Sequence, residues 1–321
     1  MFRKNLLNGL LAGSVLLAAC APAATPAFTH KLKVVATYSI LGDMVQNVGG
    51  EAIELKVLVG RDGDVHTFEP TPQDGVALKD AQVIFENGLE FEAWLDELYA
   101  ASNAQAVRAA VSDGIEPLAA SVEGEHHAEH EEQEAHSEEE HEHGEFDPHI
   151  WHSAANAAQM VKNIQNALSA VDPANAAVYQ ANAEKYLTEI AALETYIKEQ
   201  VNTLPAERRK LVTTHDTLGY FARDYGFEIV GTALGSISTE SGDPAADELA
   251  ELVNDIKLAG VPSIFAENVA NEKLMSQMAV EAGVKLAPML YTDALGPSGS
   301  AGETYLKLMR YNVETIVEAL K

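Results

Sequence analysis

Residues 173–203, PANAAVYQANAEKYLTEIAALETYIKEQVNT, contain no glycine and no proline after the first position. Asp172 supplies an N-cap side chain, and Pro173 stands at the first helical position, where its missing N–H is not needed. Tyr179, Ala183, Tyr186, Ile190, Leu193 and Ile197 recur at spacings of three and four, which puts them on one face. The pattern predicts a single helix. At about 1.5 Å per residue it would run roughly 45 Å, longer than a small domain is wide, so it reads as a connection between two domains. A chain of 321 residues is long enough for two cores.

Outward from this segment, both halves alternate strand and helix. Upstream, the patterns predict strands at Leu32–Ala36, Ile53–Val59, Ala81–Glu86 and Ala106–Val111, and helices at Leu41–Val48, from the Thr71-Pro72 start, at Phe91–Ala101 and at Ser153–Ala170. Downstream, they predict strands at Lys210–Thr214, Glu228–Thr232, Ser263–Ala266 and Lys285–Met289. The matching helices are Leu218–Asp224, Asp243-Pro244 to Leu258, Asn271–Ala282 and Glu303 to the end. Strict alternation implies βαβ units and parallel sheets. The expected architecture is α/β: two similar lobes with mainly parallel sheets, joined by one long helix.

Composition narrows the partners. With 21 Lys and Arg against 49 Asp and Glu, the net charge is −28, and the isoelectric point lies near 4.6. A phosphate backbone needs clustered cationic side chains, so nucleic acid is not an expected partner. Cations suit this surface better.

At the N-terminus, Arg3 and Lys4 precede an apolar run from Leu6 to Ala19 that is too short to span a bilayer but fits a secretory signal. Leu17-Ala18-Ala19-Cys20 resembles the lipobox of bacterial lipoproteins, which implies cleavage before Cys20 and lipidation of that cysteine. Cys20 is the only cysteine, which excludes an internal disulfide. The expected organisation is a signal peptide at 1–19, a lipid-anchored tether at 20–30, an N-terminal lobe at 31–172, the linking helix at 173–203 and a C-terminal lobe at 204–321.

Within the first lobe, residues 121–145 are a Glu/His tract carrying six of the eleven histidines: His126, His127, His130, His136, His141 and His143. Such a stretch cannot build a core. An acidic solvating run needs only carboxylates, so the interspersed imidazoles point to accessory metal binding of loose geometry.

In open parallel sheets, ligands bind beyond the carboxyl ends of the strands. His66 lies in the Gly/Asp-rich loop after the strand ending at Val59. His149 lies in Asp-Pro-His-Ile-Trp just past the tract, His215 ends the strand Leu-Val-Thr-Thr-His, and Asp293 lies in Asp-Ala-Leu-Gly after the last strand. Asp64, Asp147 and Asp216 adjoin these positions as candidate partners for imidazole N–H groups. Glu240 and Glu267 fall near strand ends and could replace Asp293. His152 reads as a helix-orienting residue and His30 as incidental. No Gly-x-Gly-x-x-Gly after the first strand, Walker loop, Gly-x-Ser-x-Gly elbow or His-Glu-x-x-His occurs, which removes the usual sequence grounds for a dehydrogenase, NTPase, serine hydrolase or zincin.

Taken in order, the loop ending in Phe-Glu-Pro, the His-rich insertion, Asp-Pro-His-Ile-Trp, the long helix, Thr-His-Asp and the late Asp-Ala-Leu-Gly resemble the solute-binding lipoproteins of zinc and manganese ABC importers. This is the ZnuA/TroA-like metal-binding family, also called cluster A-I. The resemblance covers nearly the whole mature chain. It implies metal ligands at His66, His149, His215 and Asp293 in a cleft between the lobes. The third position in this family is His or Glu, Glu being the manganese-leaning choice, so His215 and the His-rich insertion imply zinc. Three imidazoles and one carboxylate are likewise a borderline-soft set suited to Zn²⁺, although such a set also takes Mn²⁺.

The function expected is that of a monomeric extracytoplasmic zinc receptor, not an enzyme. It is tethered to the membrane through Cys20 and delivers Zn²⁺ to an ABC permease and its ATPase. A manganese receptor of the same family is the alternative. From other classes come a surface zinc hydrolase, which would need an open coordination position and a free carboxylate base, and an adhesive or scavenging protein relying on the tract. A single stiff connecting helix predicts modest loop and domain adjustment on release, chiefly around His215 and Asp293.

Overall fold

The computed structural model describes residues 1, 31–120, 145–240 and 244–321. The leader, Cys20, the tether with His30, and the six tract histidines lie outside the described residues.

The first lobe runs β1 (Leu32–Tyr38), α1 (Ser39–Gly49), β2 (Ile53–Val59), α2 (Pro72–Asp80), β3 (Val83–Glu86), α3 (Leu95–Ser102) and β4 (Val107–Ala110). Its four strands are parallel in the order β2-β1-β3-β4, with Leu32 opposite Ile53, Val34 opposite Val83, and Val83 opposite Val107. Two further helices follow, α4 (Ala154–Val171) and α5 (Ala176–Val201). The second lobe repeats the theme with β5 (Lys210–Thr213), α6 (Gly219–Tyr225), β6 (Glu228–Thr232), α7 (Ala246–Ala259), β7 (Ser263–Ile264), α8 (Glu272–Ala282), β8 (Lys285–Leu286) and α9 (Tyr305–Leu320). Here β5-β6 and β7-β8 form parallel pairs. The Phe265 N–H donates to the Val212 carbonyl at 2.9 Å and sets β7 beside β5. The resulting order, β6-β5-β7-β8, copies that of the first lobe.

Alternation along the strands sorts the core. Val34, Ala36 and Tyr38 of β1 face the central cluster, whereas Val35 faces a smaller one with Leu78, Ile84 and Leu95 under α2 and α3. On β5, Leu211 joins the central cluster and Val212 an outer one with Ile256, Ile264 and Met275. Each sheet is therefore covered on both faces, as parallel sheets require.

Helix α5 carries Tyr179, Ala183, Tyr186, Ile190, Leu193, Ile197 and Val201 inward. Its first half is tied to the first lobe, with Asn182 Nδ2 donating to the Val48 carbonyl at 3.0 Å. Its second half reaches the other lobe, where Glu194 accepts from the Tyr225 hydroxyl at 2.6 Å and Tyr196 bonds Glu314 of α9. At 26 residues it runs about 39 Å.

Several helix starts differ from expectation: α5 begins at Ala176, after a 3-10 turn at Pro173–Asn175, with no capping bond from the Asp172 side chain, and α9 begins at Tyr305. The segment from Phe91 forms a helix only from Leu95, because Gly88, Leu89 and Glu90 all take positive φ (81°, 55° and 60°) and turn the chain first. Phe91 is thereby turned into the interior. Helix α7 begins at Ala246, where the Glu248 carboxylate accepts from the Ala245 N–H at 3.0 Å; Asp243 lies outside the described residues. Among the described residues, no helix is long and apolar enough to cross a membrane.

Candidate metal centre

Four segments meet where the lobes face each other. His66 follows β2, His149 leads into the short turn Ile150–His152 ahead of α4, His215 follows β5, and Asp293 lies on the segment after β8. One ligating atom from each can be chosen so that all four lie within 4.8 Å of one another. The Asp293 carboxylate is central: Oδ2 is 3.1 Å from His215 Nε2 and 3.5 Å from His66 Nε2, and Oδ1 is 3.8 Å from His149 Nε2. Four ligands about 2.0–2.1 Å from a tetrahedral Zn²⁺ would stand roughly 3.3 Å apart, close to these separations.

The side chains of His149, His215 and Asp293 are wholly buried, and that of His66 is 8 % exposed. His66 Nε2, His149 Nε2, His215 Nε2 and Asp293 Oδ2 face one another with no hydrogen-bond partner outside the cluster. An unmet buried polar atom costs about 1–3 kcal/mol, so four converging on one point suit a cation better than an apolar interior.

Behind the ring, other groups fix orientation. Asp147 Oδ1 lies 2.8 Å from His149 Nδ1 and also accepts from the His149 N–H at 2.9 Å. Glu267 Oε2 lies 2.5 Å from His215 Nδ1, while its Oε1 accepts from the Thr214 and His215 N–H groups at 2.7 and 3.1 Å. Thr292 Oγ1 donates to Glu267 Oε2 at 3.1 Å. Asp64 supports the His66 backbone rather than its ring, its Oδ1 accepting from the His66 N–H at 2.9 Å. Asp216 is buried beside His215, its N–H donating to the Ser236 carbonyl at 2.8 Å. His152 is buried outside the four-residue cluster, and the cap of α4 is Ser153, whose hydroxyl accepts from the Asn156 N–H at 3.1 Å.

Charge follows position. Burial holds His66 below the ordinary imidazole range, so it stays neutral. Burial also pushes His152 down to about 3. His215 goes the other way: burial opposes its charge, yet the Glu267 and Asp293 carboxylates outweigh that and raise it well above 6.5. Burial would raise Asp293, but His215 and His149 hold it well below the carboxylate range. Without an ion, the centre therefore carries a proton on His215.

Several supporting residues carry no ligand signal in sequence. Phe91 packs its ring 5.0 Å from His66 and 5.8 Å from His149, with Trp151 at 5.0 Å, and walls the centre with apolar surface. Asn87 Nδ2 donates to the Pro148 carbonyl at 2.9 Å, and Glu92 Oε1 accepts from the Asn87 N–H at 2.7 Å. Burial raises Glu92 to about 7. Of these, only Trp151 stood in a recognisable motif. Glu240 is exposed and outside the cluster. Glu267 is not a free base, since both its oxygens are engaged.

The profile of the ZnuA family, described as zinc-uptake complex component A, periplasmic, matches residues 34–319. The chain belongs to this family. Its members are solute-binding receptors, not enzymes. The manganese-binding lipoprotein MntA of Halalkalibacterium halodurans is 34% identical over 90% of this chain and 88% of its own. The manganese ABC transporter substrate-binding lipoprotein PsaA of Streptococcus pneumoniae is 31% identical over 100% of this chain and 99% of its own. Among solved structures, the periplasmic zinc-binding protein TroA of Treponema pallidum superposes with a TM-score of 0.78 at 30% identity, covering 91% of this chain and 99% of that one. These relatives place the two-lobe fold in a family of metal receptors.

Proposed function

We propose that this protein is the extracytoplasmic receptor of an ABC importer, tethered through a lipid on Cys20, and that it captures Zn²⁺ with His66, His149, His215 and Asp293 for delivery to a permease and its ATPase. The observation that carries this reading is the convergence of three imidazoles and one carboxylate, buried and mutually within 4.8 Å. Three nitrogen donors and one oxygen suit a borderline-soft ion that accepts four ligands. On this reading the N-terminal lobe spans 31–172 and the C-terminal lobe 204–321, on either side of the linking helix at 173–203.

Residues 121–144 of the Glu/His tract lie outside the described residues, but those that flank it pair with each other. Ala119 and Phe146 form an antiparallel bridge, three residues before His149. The composition of the tract supports a collector of loosely held zinc.

Manganese is the second reading, favoured by the names of MntA and PsaA, whereas the name of TroA supports zinc. Competitive Zn²⁺ and Mn²⁺ titration of the purified mature protein, with and without His215→Ala, decides between them. The zinc reading expects Zn²⁺ to win and the variant to lose far more than the ~10–100-fold typical of an outer partner. A reversed order would make this a manganese receptor, and binding indifferent to His215→Ala would reject the centre itself.

A further inference from the structure

The two oxygens of Asp293 are not equivalent. Oδ2 faces His215 Nε2 and His66 Nε2 and has no partner outside the cluster, whereas Oδ1 accepts from the Thr217 hydroxyl at 3.1 Å. Thr217 is fully buried and stands two residues past His215, its N–H donating to the His215 carbonyl at 3.1 Å. The hydroxyl also lies 3.4 Å from His152 Nε2. A hydroxyl has one hydrogen to give, and the shorter bond to the stronger, anionic acceptor takes it. One turn after β5 thus carries both a candidate ligand and a clamp on another.

We propose that Thr217 is a selectivity-determining residue: by holding Oδ1, it restricts Asp293 to offering the ion a single oxygen. This inference rests on the zinc-receptor reading above. With one carboxylate oxygen and three imidazoles the ion has four ligands, the number Zn²⁺ favours in closed sites. Harder divalent ions such as Mn²⁺ favour oxygen and higher coordination, which a carboxylate supplies by chelating through both oxygens. To chelate here, Oδ1 must turn a lone pair toward the ion and give up its present alignment on the Thr217 hydroxyl, which weakens that bond in a site where the hydroxyl is buried. The penalty falls on Mn²⁺ and not on Zn²⁺.

The test uses the mature wild-type protein, Thr217→Val, which keeps the side-chain shape without the hydroxyl, and Thr217→Ser, which restores it. Two quantities are read: the ratio of Zn²⁺ to Mn²⁺ affinity by chelator competition, and the visible absorption of bound Co²⁺, intense in four-coordinate sites and weak in higher ones. Thr217→Val is expected to move the ratio toward Mn²⁺ by about tenfold, within the range commanded by partners of ligating groups, and to weaken the Co²⁺ band. Thr217→Ser should recover both. If Thr217→Val matches wild type in ratio and spectrum, the proposal is wrong. If it does not melt cooperatively, Thr217→Ala is judged by the same two readouts. A wild-type preference for Mn²⁺ would reject the zinc reading by itself, while the change in ratio between variants would still decide the role of Thr217.

Discussion

The two lobes share a strand order but not a degree of order. In the first, β1 and β2 are seven residues each and pair in unbroken register from Leu32 opposite Ile53 to Ala36 opposite Val57. In the second, β7 and β8 are two residues each, β5 pairs with β6 through a register shift at Leu211/Val212, and the two pairs are bridged by the Phe265–Val212 hydrogen bond. His66 follows the long strand β2, His149 follows the isolated bridge of Ala119 and Phe146 and the Asn87–Pro148 bond, and both lie against a wall of Phe91, Tyr38 and Trp151. His215 and Asp293 stand on short strands, and their segments are held by side chains, Glu267 and Thr292 above all. Ligands fixed by backbone pairing move less than ligands fixed by a few side-chain bonds. The second lobe is where release should begin.

That contrast is most directly broken at the carboxylates behind the imidazoles. Glu267→Gln keeps the shape but removes the charge facing His215 and one of the acceptors that organise the Thr214–His215 turn. Asp147→Asn removes the corresponding charge behind His149, where the Ala119–Phe146 bridge, the Asn87–Pro148 bond and the aromatic wall still hold the segment. Both lie in the ~10–100-fold range for outer partners. Glu267→Gln is expected near the upper end and Asp147→Asn near the lower, read as Zn²⁺ affinity by chelator competition. Equal losses would show that the second lobe is no more dependent on side-chain support than the first.

Protonation offers the next test. His215 is raised above its unfolded value, so the stability it contributes to the ion-free protein is fully present below about pH 6.5 and is lost as pH climbs through the higher folded value. His66, lowered by burial, is already neutral there. A divalent ion requires neutral imidazole and so must expel the His215 proton. Zinc affinity should therefore rise by about tenfold per pH unit between 6.5 and the raised value, with about one proton released per ion. Calorimetry at pH 7 in buffers of unequal protonation enthalpy measures this, and His215→Ala should abolish it. Release that survives in His215→Ala would place the proton on the first lobe and overturn the asymmetry.

How much of this could be read from the chain depends on what kind of interaction set each feature. The strands, the parallel sheets and the long helix follow from local periodicity, and Tyr179 to Ile197 marked their buried face correctly. The four clustered residues were legible because each ends a strand-loop unit in a recognisable string, such as Asp-Pro-His-Ile-Trp at 147–151. The supports were not. Glu267 looked like a possible substitute ligand, since nothing local reveals that its carboxylate folds back onto Thr214 and His215, which precede it by some fifty residues. Asn87, Glu92 and Thr217 act across similar separations in sequence. The late start of α3 escaped because left-handed backbone at Leu89 and Glu90 is imposed by tertiary packing that places Phe91 against the histidines, not by residue type.

The smallest effect concerns the contact that crosses between lobes at the His66 loop. Arg61 Nη1 donates to the Gly296 and Glu303 carbonyls, each at 2.7 Å, and the Asp62 N–H donates to the Leu295 carbonyl at 2.9 Å. Asn268 Nδ2 bonds Asp62 Oδ1 at 3.1 Å, and the Thr239 hydroxyl bonds Asp64 Oδ2 at 2.5 Å. The Arg61 and Asp62 N–H bonds join the ordered first lobe to the segment bearing Asp293, so opening that segment must break them, whereas Asn268 and Thr239 tie the same loop to the segments after β7 and β6. Arg61 is exposed, which reduces the worth of its two bonds to about 1 kcal/mol together. Arg61→Ala should then speed zinc release by roughly fivefold, leave capture nearly unchanged and weaken affinity by the same factor. Stopped-flow release into excess chelator reads the rate. An unchanged release rate would mean that the Asp293 segment opens without parting from the His66 loop, and the second lobe would lose its claim to be the moving side.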